Sequence, residues 1–186
     1  MKIKNFCFLV ILSCFSIFCG LAHISHARLY ETPSEAKSRY GAPVKESSVI
    51  MLPLLKGTQE LRYHHNGWRI RSAFIKNKTA IISYMKLARQ STPDAVLQKD
   101  EIQAVLKAES GGYKWMKVER GTKVTSSKKY QGYFNSSSRV WKRGDGAVAW
   151  VSGNSALSVI SREGLEFEDQ FQDVKEKQRK ASIKNF

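Results

Sequence analysis

The first 27 residues constrain this chain more than any other part, because they divide it into a segment that directs export and a segment that folds. Two lysines lie among the first five residues, and an almost unbroken apolar run follows over residues 6–22. This charged-then-apolar order is typical of a secretory signal peptide. Small residues flank the histidine in Ser25-His26-Ala27, so cleavage is predicted before Arg28, and Gly20-Leu21-Ala22 offers a second choice before His23. Residues 1–27 are therefore assigned to a cleavable signal, and residues 28–186 are expected to be exported, to the periplasm or out of the cell.

All three cysteines of the chain, Cys7, Cys14 and Cys19, fall within the predicted signal. The exported domain therefore has no thiol for a disulfide, a metal site or a nucleophile, and its stability must come from a hydrophobic core. Residues 28–186 are enough for one such domain. Two alternatives stay open at this point: retention of the apolar run as a membrane anchor, and lipidation at Cys14.

The first half of the domain is predicted to be a short helix followed by a β-meander. Thr32 is placed to cap a helix that ends at Gly41. Asn66-Gly67 lies between two runs of β-forming residues, which is the strongest short signal for a hairpin. A second turn at Asn77-Lys78 predicts a third strand. Residues 28–88 should therefore form one helix and three antiparallel strands.

Alternation within these strands predicts which side faces the core. In the second strand, apolar side chains occupy every other position, and Arg69 and Arg71 point the other way. One face of the sheet should therefore be apolar and covered by a later helix, and the opposite face should be largely basic. The residues assigned to the buried face are Trp68, Ile70, Phe74, Ala80, Ile82 and Tyr84 on the strands, with Ile102, Val105 and Leu106 packed over them.

The second half is predicted to follow the same order. Asp100 caps a predicted helix that runs to about Ala108 and stops at Gly111-Gly112. Strands are predicted within residues 113–118, 129–134, 139–142, 147–152 and 156–161, and a C-terminal helix over 163–182. The fold class is therefore α+β, with short helices packed on one face of an antiparallel sheet. The order of elements is compatible with two helix-plus-meander repeats, over residues 28–88 and 98–161.

Four segments resemble those of small exported bacterial proteins of unassigned function. They are a Tyr-Gly-x-Pro corner at residues 40–43, a meander over Phe74 to Tyr84, a helix over Glu101 to Leu106, and a lysine-rich C-terminal helix ending near Phe186. More distantly, the helix, corner and meander resemble the SmpA/OmlA outer-membrane assembly lipoproteins and the β-lactamase inhibitor proteins. Those families are binding modules without catalytic chemistry, so the resemblance implies a binding role.

Few residues of the exported domain offer catalytic chemistry. Its two histidines, His64 and His65, are neighbours on a predicted strand and face opposite sides, so they cannot share a metal or a catalytic site. Gly111-Gly112 and Gly144-Asp145-Gly146 lack the lysine and serine of a phosphate loop and are predicted to be turns. The sequence predicts no cofactor and no metal. An envelope hydrolase with an unrecognised site stays open as the alternative to a binding module.

The segment Lys107 to Arg143 is the most unusual part of the domain in composition. It contains ten basic residues against Glu109 and Glu119, and six aromatic residues are interleaved with them. Cationic surfaces with exposed rings hold polyanions, whereas rings turned inward would leave only a solvated basic face. The residues assigned to a polyanion site are Lys114, Lys117, Lys128, Lys129, Lys142 and Arg143.

Together these features predict a non-enzymatic, exported binding module that contacts a protein partner or an anionic envelope polymer. The formal charge of +15 for the whole chain favours acidic partners. Nucleic acid is disfavoured as the partner because export removes the domain from the cytoplasm. No membrane span is expected once the signal has been removed.

Overall fold

A computed structural model describes residues 28–45, 54–87, 95–137 and 139–183, so the predicted signal peptide lies outside the described residues. The described chain forms an antiparallel sheet of seven strands with four helices. Strands β1 to β7 are Gln59–His65, Trp68–Ile75, Lys78–Lys86, Trp115–Lys117, Val140–Arg143, Val148–Ser152 and Ala156–Ile160. Helices α1 to α4 are Pro33–Tyr40, Lys99–Ala108, Lys128–Ser136 and Arg162–Ile183. The predicted α+β class and C-terminal helix are confirmed.

The first helix and the first hairpin form as the sequence predicts. The Thr32 side chain accepts a hydrogen bond from the backbone N–H of Glu35, and the Glu35 carboxylate accepts one from the backbone N–H of Thr32 at 2.7 Å. This capping box fixes the start of α1. Asn66 and Gly67 have φ angles of 47° and 79°, which is the left-handed pair that a tight hairpin turn requires. The start of α1 and the hairpin turn are therefore determined by residues that are close together in the sequence.

The strand order is β1-β2-β3-β7-β6-β5-β4. Each half of the domain supplies a meander, and the last strands of the two meanders, β3 and β7, pair antiparallel at the centre of the sheet. Helices α1 and α2, which precede the two meanders, contribute to the same hydrophobic cluster on one face. This is the topology that two helix-plus-meander units would produce. The second unit carries an insertion, because α3 lies between β4 and β5.

The face under α1 and α2, termed the first face, holds the predicted core. Ile70, Phe74, Ile82 and Tyr84 are buried there together with the three predicted apolar residues of α2, and Trp68 is half-buried against them. Ala80 lies instead in the cluster on the opposite face. The pairing shifts register between Ala73 and Phe74, so alternation does not carry through this point of the sheet.

The opposite face, termed the second face, carries a hydrophobic layer of its own under α3 and α4. Its buried residues come from both helices and from the strands beneath: Ala73, Ala80, Ile81, Tyr130, Phe134, Val148, Trp150, Ile160 and Leu165. Gly164 lets α4 approach the sheet closely, because a Cβ at this position would lie 2.9 Å from the carbonyl oxygen of Ala80. The two short helices on the first face agree with the prediction. The prediction that the opposite face is largely basic is wrong, because this face carries a hydrophobic layer and Arg71 on it is buried in an ion pair with Glu60.

Residues 129–134 were predicted to be a strand, and this prediction is wrong. They belong to the helix α3, which begins after Ser127, whose side chain accepts the backbone N–H of Tyr130. Tyr130 and Phe134 are four residues apart and therefore lie on one side of the helix. Both rings pack against Trp150, with ring centroids 5.7 and 5.3 Å away. Burial of these two rings on the second face accounts for the helical conformation.

Candidate functional site

A groove on the second face brings together basic side chains from two distant parts of the chain. One wall is the first turn of α3, with Lys128 and Lys129. The other wall is the C-terminal half of α4, with Lys175, Arg179 and Lys180. The groove is open to solvent and has a volume of about 1150 Å³.

The groove contains cations that are paired with acids and cations that are not. The Lys129 ammonium lies 2.9 Å from the carboxylate of Glu168, which is fully buried. Lys129 therefore has a structural role, because its removal would leave a buried carboxylate without its ion-pair partner. Lys128 and Lys175 are exposed, and neither forms an ion pair with any acid that the structure describes. These two ammonium groups, one on each wall, are the ones most available to a ligand.

Acids also line the groove, so its surface is mixed in charge. Asp169, Asp173 and Glu176 lie on the α4 wall. Asp169 accepts a hydrogen bond from the Ser126 hydroxyl at 2.9 Å. A hydrogen bond from the Arg179 guanidinium lowers the pKa of Glu176 to about 2, so this carboxylate stays ionised at neutral pH. Five basic and three acidic side chains line the groove, which leaves a modest positive excess.

Lys142 lies beside this groove. Its side chain lines a neighbouring cavity of about 390 Å³, together with Arg162 and Glu166 of α4. Ser126 and Asp169 line both cavities, so the two are adjacent. Lys142, Lys128 and Lys129, three of the six predicted polyanion-binding residues, are therefore brought to one side of the domain.

Lys114 and Lys117 are not part of the groove. Lys117 ends β4, the outermost strand of the sheet, and Lys114 directly precedes that strand. Lys117 pairs with Trp141, which is buried on the first face. Both lysines are exposed. The structure thus separates the predicted site into a groove and a strand edge.

Arg143 was predicted to bind a polyanion, and its position contradicts this prediction. Its side chain is only 1% exposed. The guanidinium donates to the Asp145 carboxylate at 2.8 and 2.6 Å and to the backbone carbonyl oxygen of Glu109, and it lies over the Trp115 ring. These hydrogen bonds hold the pKa of Asp145 below its ordinary value although burial opposes the shift. Arg143 fixes the Gly144-Asp145-Gly146 turn to the end of α2 and cannot reach a polymer.

The interleaved aromatic residues do not form a stacking platform. Tyr130, Phe134 and Trp141 are buried in the two hydrophobic clusters. Tyr113 and Tyr133 are exposed, at 51% and 44%, but the first precedes β4 and the second lies on α3. Trp115 is half-buried against the first-face cluster, so four of the six rings belong to the core or pack against it, as the alternative interpretation of this segment expected.

A buried polar cluster around Glu109 is the most unusual electrostatic feature of the first face. Its carboxylate accepts hydrogen bonds from the backbone N–H of Leu29 at 3.1 Å and from the Tyr84 hydroxyl. The guanidinium of Arg28 lies over the rings of Tyr40 and Tyr84. Burial raises the pKa of Glu109. No sequence motif marks this cluster, because its members lie far apart in the chain.

The Glu109 cluster joins elements of the fold rather than offering a reactive group. Glu109 is 0% exposed and Tyr84 is 1% exposed, so a substrate has no access to either. Through this cluster, the chain start at Leu29 is tied to β3 and to the end of α2. His64 and His65 lie at the end of β1 and are paired with Arg69 and Trp68 across the strands. The residues described include no group of three or more His, Cys, Asp or Glu side chains that would hold a metal ion.

Comparisons with known proteins return no match: no family model, no curated protein and no solved structure is similar to this chain. Among the helices that the structure describes, none is both long and apolar enough to cross a membrane.

Proposed function

We propose that this chain is an exported, non-enzymatic binding module that holds an anionic envelope polymer in the groove between α3 and α4. The observation that carries the proposal is the convergence of basic side chains from residues 128–129 and 175–180 on one open groove. Lys128 lies on one wall of this groove and Lys175 on the other, and neither forms an ion pair with an acid of the described chain. A ligand that carries negative charge would supply that partner.

The shape and mixed charge of the groove favour an extended glycan as the polymer. From Arg162 to Lys180, α4 would extend about 27 Å at 1.5 Å per residue, and the two adjacent cavities follow it. Exposed carboxylates such as Asp173 accept hydrogen bonds from sugar hydroxyls, while the ammonium groups bind acidic substituents of the sugar. A nucleic acid backbone would instead bring a phosphate against these carboxylates at short intervals. An acid-bearing polysaccharide thus fits both kinds of side chain.

Export of the domain is part of this proposal. The charged and apolar pattern of residues 1–27 supports it, as does the resemblance to exported binding modules. Leu29 is 1% exposed, and the backbone N–H of Tyr30 donates to the carbonyl oxygen of Thr79 at 2.8 Å. Cleavage before Arg28 leaves these contacts intact, whereas a cut a few residues later would remove them.

Neutralising one cation on each wall tests the groove. The double variant Lys128→Gln, Lys175→Gln removes two charges and leaves no described acid without its ion-pair partner. We expect its affinity for a carboxylated polysaccharide such as polygalacturonate to fall about five- to tenfold at low salt. Binding should be measured at ionic strengths of about 0.01 and about 0.15 M, where the screening length falls from about 30 to about 8 Å. The wild type should lose more affinity across this range than the variant.

A matched control removes two exposed lysines elsewhere. Lys37 lies on α1 and Lys78 begins β3, and both are exposed. The variant Lys37→Gln, Lys78→Gln lowers the net charge equally and should bind within about twofold of the wild type at about 0.15 M ionic strength, where a screening length of about 8 Å limits long-range attraction. Equal losses in both variants, or no binding of any polyanion at low salt, would contradict the proposed site.

A further inference from the structure

The outermost strand, β4, presents an edge with exposed apolar and basic side chains. β4 ends the strand order, and no described strand pairs with its outer side. Met116 is 59% exposed and Tyr113 is 51% exposed, which is unusual for large apolar residues only three positions apart. Lys114 follows Tyr113 and Lys117 follows Met116, and no acid occurs between Ser110 and Val118. The edge therefore combines an outer side that no described strand occupies with exposed apolar side chains and two positive charges.

This edge is held rigidly in place. The Trp115 indole N–H donates to the carbonyl oxygen of Leu106 at 2.7 Å, and the Arg143 guanidinium lies over the Trp115 ring. The three residues of β4 are paired in register with β5. Because the strand is already ordered by these contacts, a peptide that joins it need not also order the edge.

We propose that β4 accepts an extended acidic peptide of a partner protein as an additional strand of the sheet. Backbone hydrogen bonds would provide the affinity of such strand addition, and alternate side chains would provide its specificity. Carboxylates of the peptide would pair with Lys114 and Lys117, and an apolar residue would cover Met116. A second copy of this chain is a poor occupant, because pairing of two such edges would bring four lysines together with no acid in either strand.

The test uses a peptide of about eight residues with the repeat Glu-Glu-Val-Val, because Lys114 and Lys117 lie on opposite faces of the strand and this repeat presents both Glu and Val on each face. We expect it to bind the protein, and the variant Lys114→Gln, Lys117→Gln to bind it about five- to tenfold more weakly. The groove variant Lys128→Gln, Lys175→Gln should bind it as the wild type does, which separates this site from the proposed polymer groove.

Two N-methylated peptides distinguish strand addition from charge attraction. One carries N-methyl groups on the odd residues and the other on the even residues, so only one of them blocks the backbone N–H groups that face the β4 edge. We expect one of the two peptides to lose binding and the other to keep it. Equal binding of both, loss of binding in the groove variant, or no binding of the parent peptide would each overturn the proposal.

Discussion

Replacing Glu109 with Ala is expected to destabilise the domain by about 3 to 5 kcal/mol. The substitution removes the acceptor of two buried donors, the backbone N–H of Leu29 and the hydroxyl of Tyr84. Each donor would then lack a partner, at a cost of about 1 to 3 kcal/mol. Loss of the carboxylate also removes one attractive charge from the surroundings of Arg28. Urea unfolding followed by circular dichroism gives the change in the free energy of unfolding.

Two further variants identify the cause of this loss. Glu109→Gln keeps the shape and an acceptor oxygen, so it should cost less than Glu109→Ala. Glu119→Ala removes an exposed acid that has no described ion pair, and it should change the free energy of unfolding by less than about 0.5 kcal/mol. A loss below about 1 kcal/mol for Glu109→Ala would show that this cluster does not hold the fold together.

The variant Phe74→Ala should lose about 3 to 5 kcal/mol of unfolding free energy. Phe74 is 5% exposed and lies in the first-face cluster, where truncation leaves a cavity that the surrounding side chains fill only in part. Phe171 on α4 is half-buried, so Phe171→Ala is a matched control with a smaller expected loss of about 1 kcal/mol. A near-neutral thermal melt for Phe74→Ala would place the core of the domain elsewhere.

Features fixed by neighbouring residues could be predicted from the sequence. The capping box at Thr32 and the turn at Asn66-Gly67 depend on side chains and φ angles within a few positions. The second turn is centred on Lys76 and Asn77, one residue earlier than predicted. The helix α2 begins after Gln98, and Asp100 lies in its first turn rather than at its cap. In both cases the element was predicted correctly and its boundary was wrong by one or two residues.

Features that depend on the opposite face could not be predicted in the same way. Tyr130 and Phe134 show helical spacing and follow a capping serine, but aromatic residues are also frequent in strands. The contact of both rings with Trp150, which is distant in the sequence, selects the helical conformation. Ala80 follows the alternation of β3 in sequence, and the register shift that moves it to the second face has no local marker.

The candidate site was predicted in part. Lys128, Lys129 and Lys142 were singled out by the density of basic residues, and the structure brings them to one side of the domain. The basic residues of the α4 wall were not predicted as part of a site, because acidic and basic residues are equal in number from Arg162 onward. The four-residue spacing of Lys175 and Arg179, which places both on one side of a helix, was the available signal. The high density of basic residues also led to the wrong prediction for Arg143, because Asp145, two residues later, forms an ion pair with it.

The most direct test of the polymer groove is a nuclear magnetic resonance titration of the ¹⁵N-labelled domain, residues 28–186, with oligogalacturonate. Backbone amide shifts report which residues meet the ligand without any substitution. We predict that the largest changes fall on residues 126–129 and 172–180, the two walls of the groove. Changes centred on α1 and α2 of the first face, or no changes at low salt, would contradict the account.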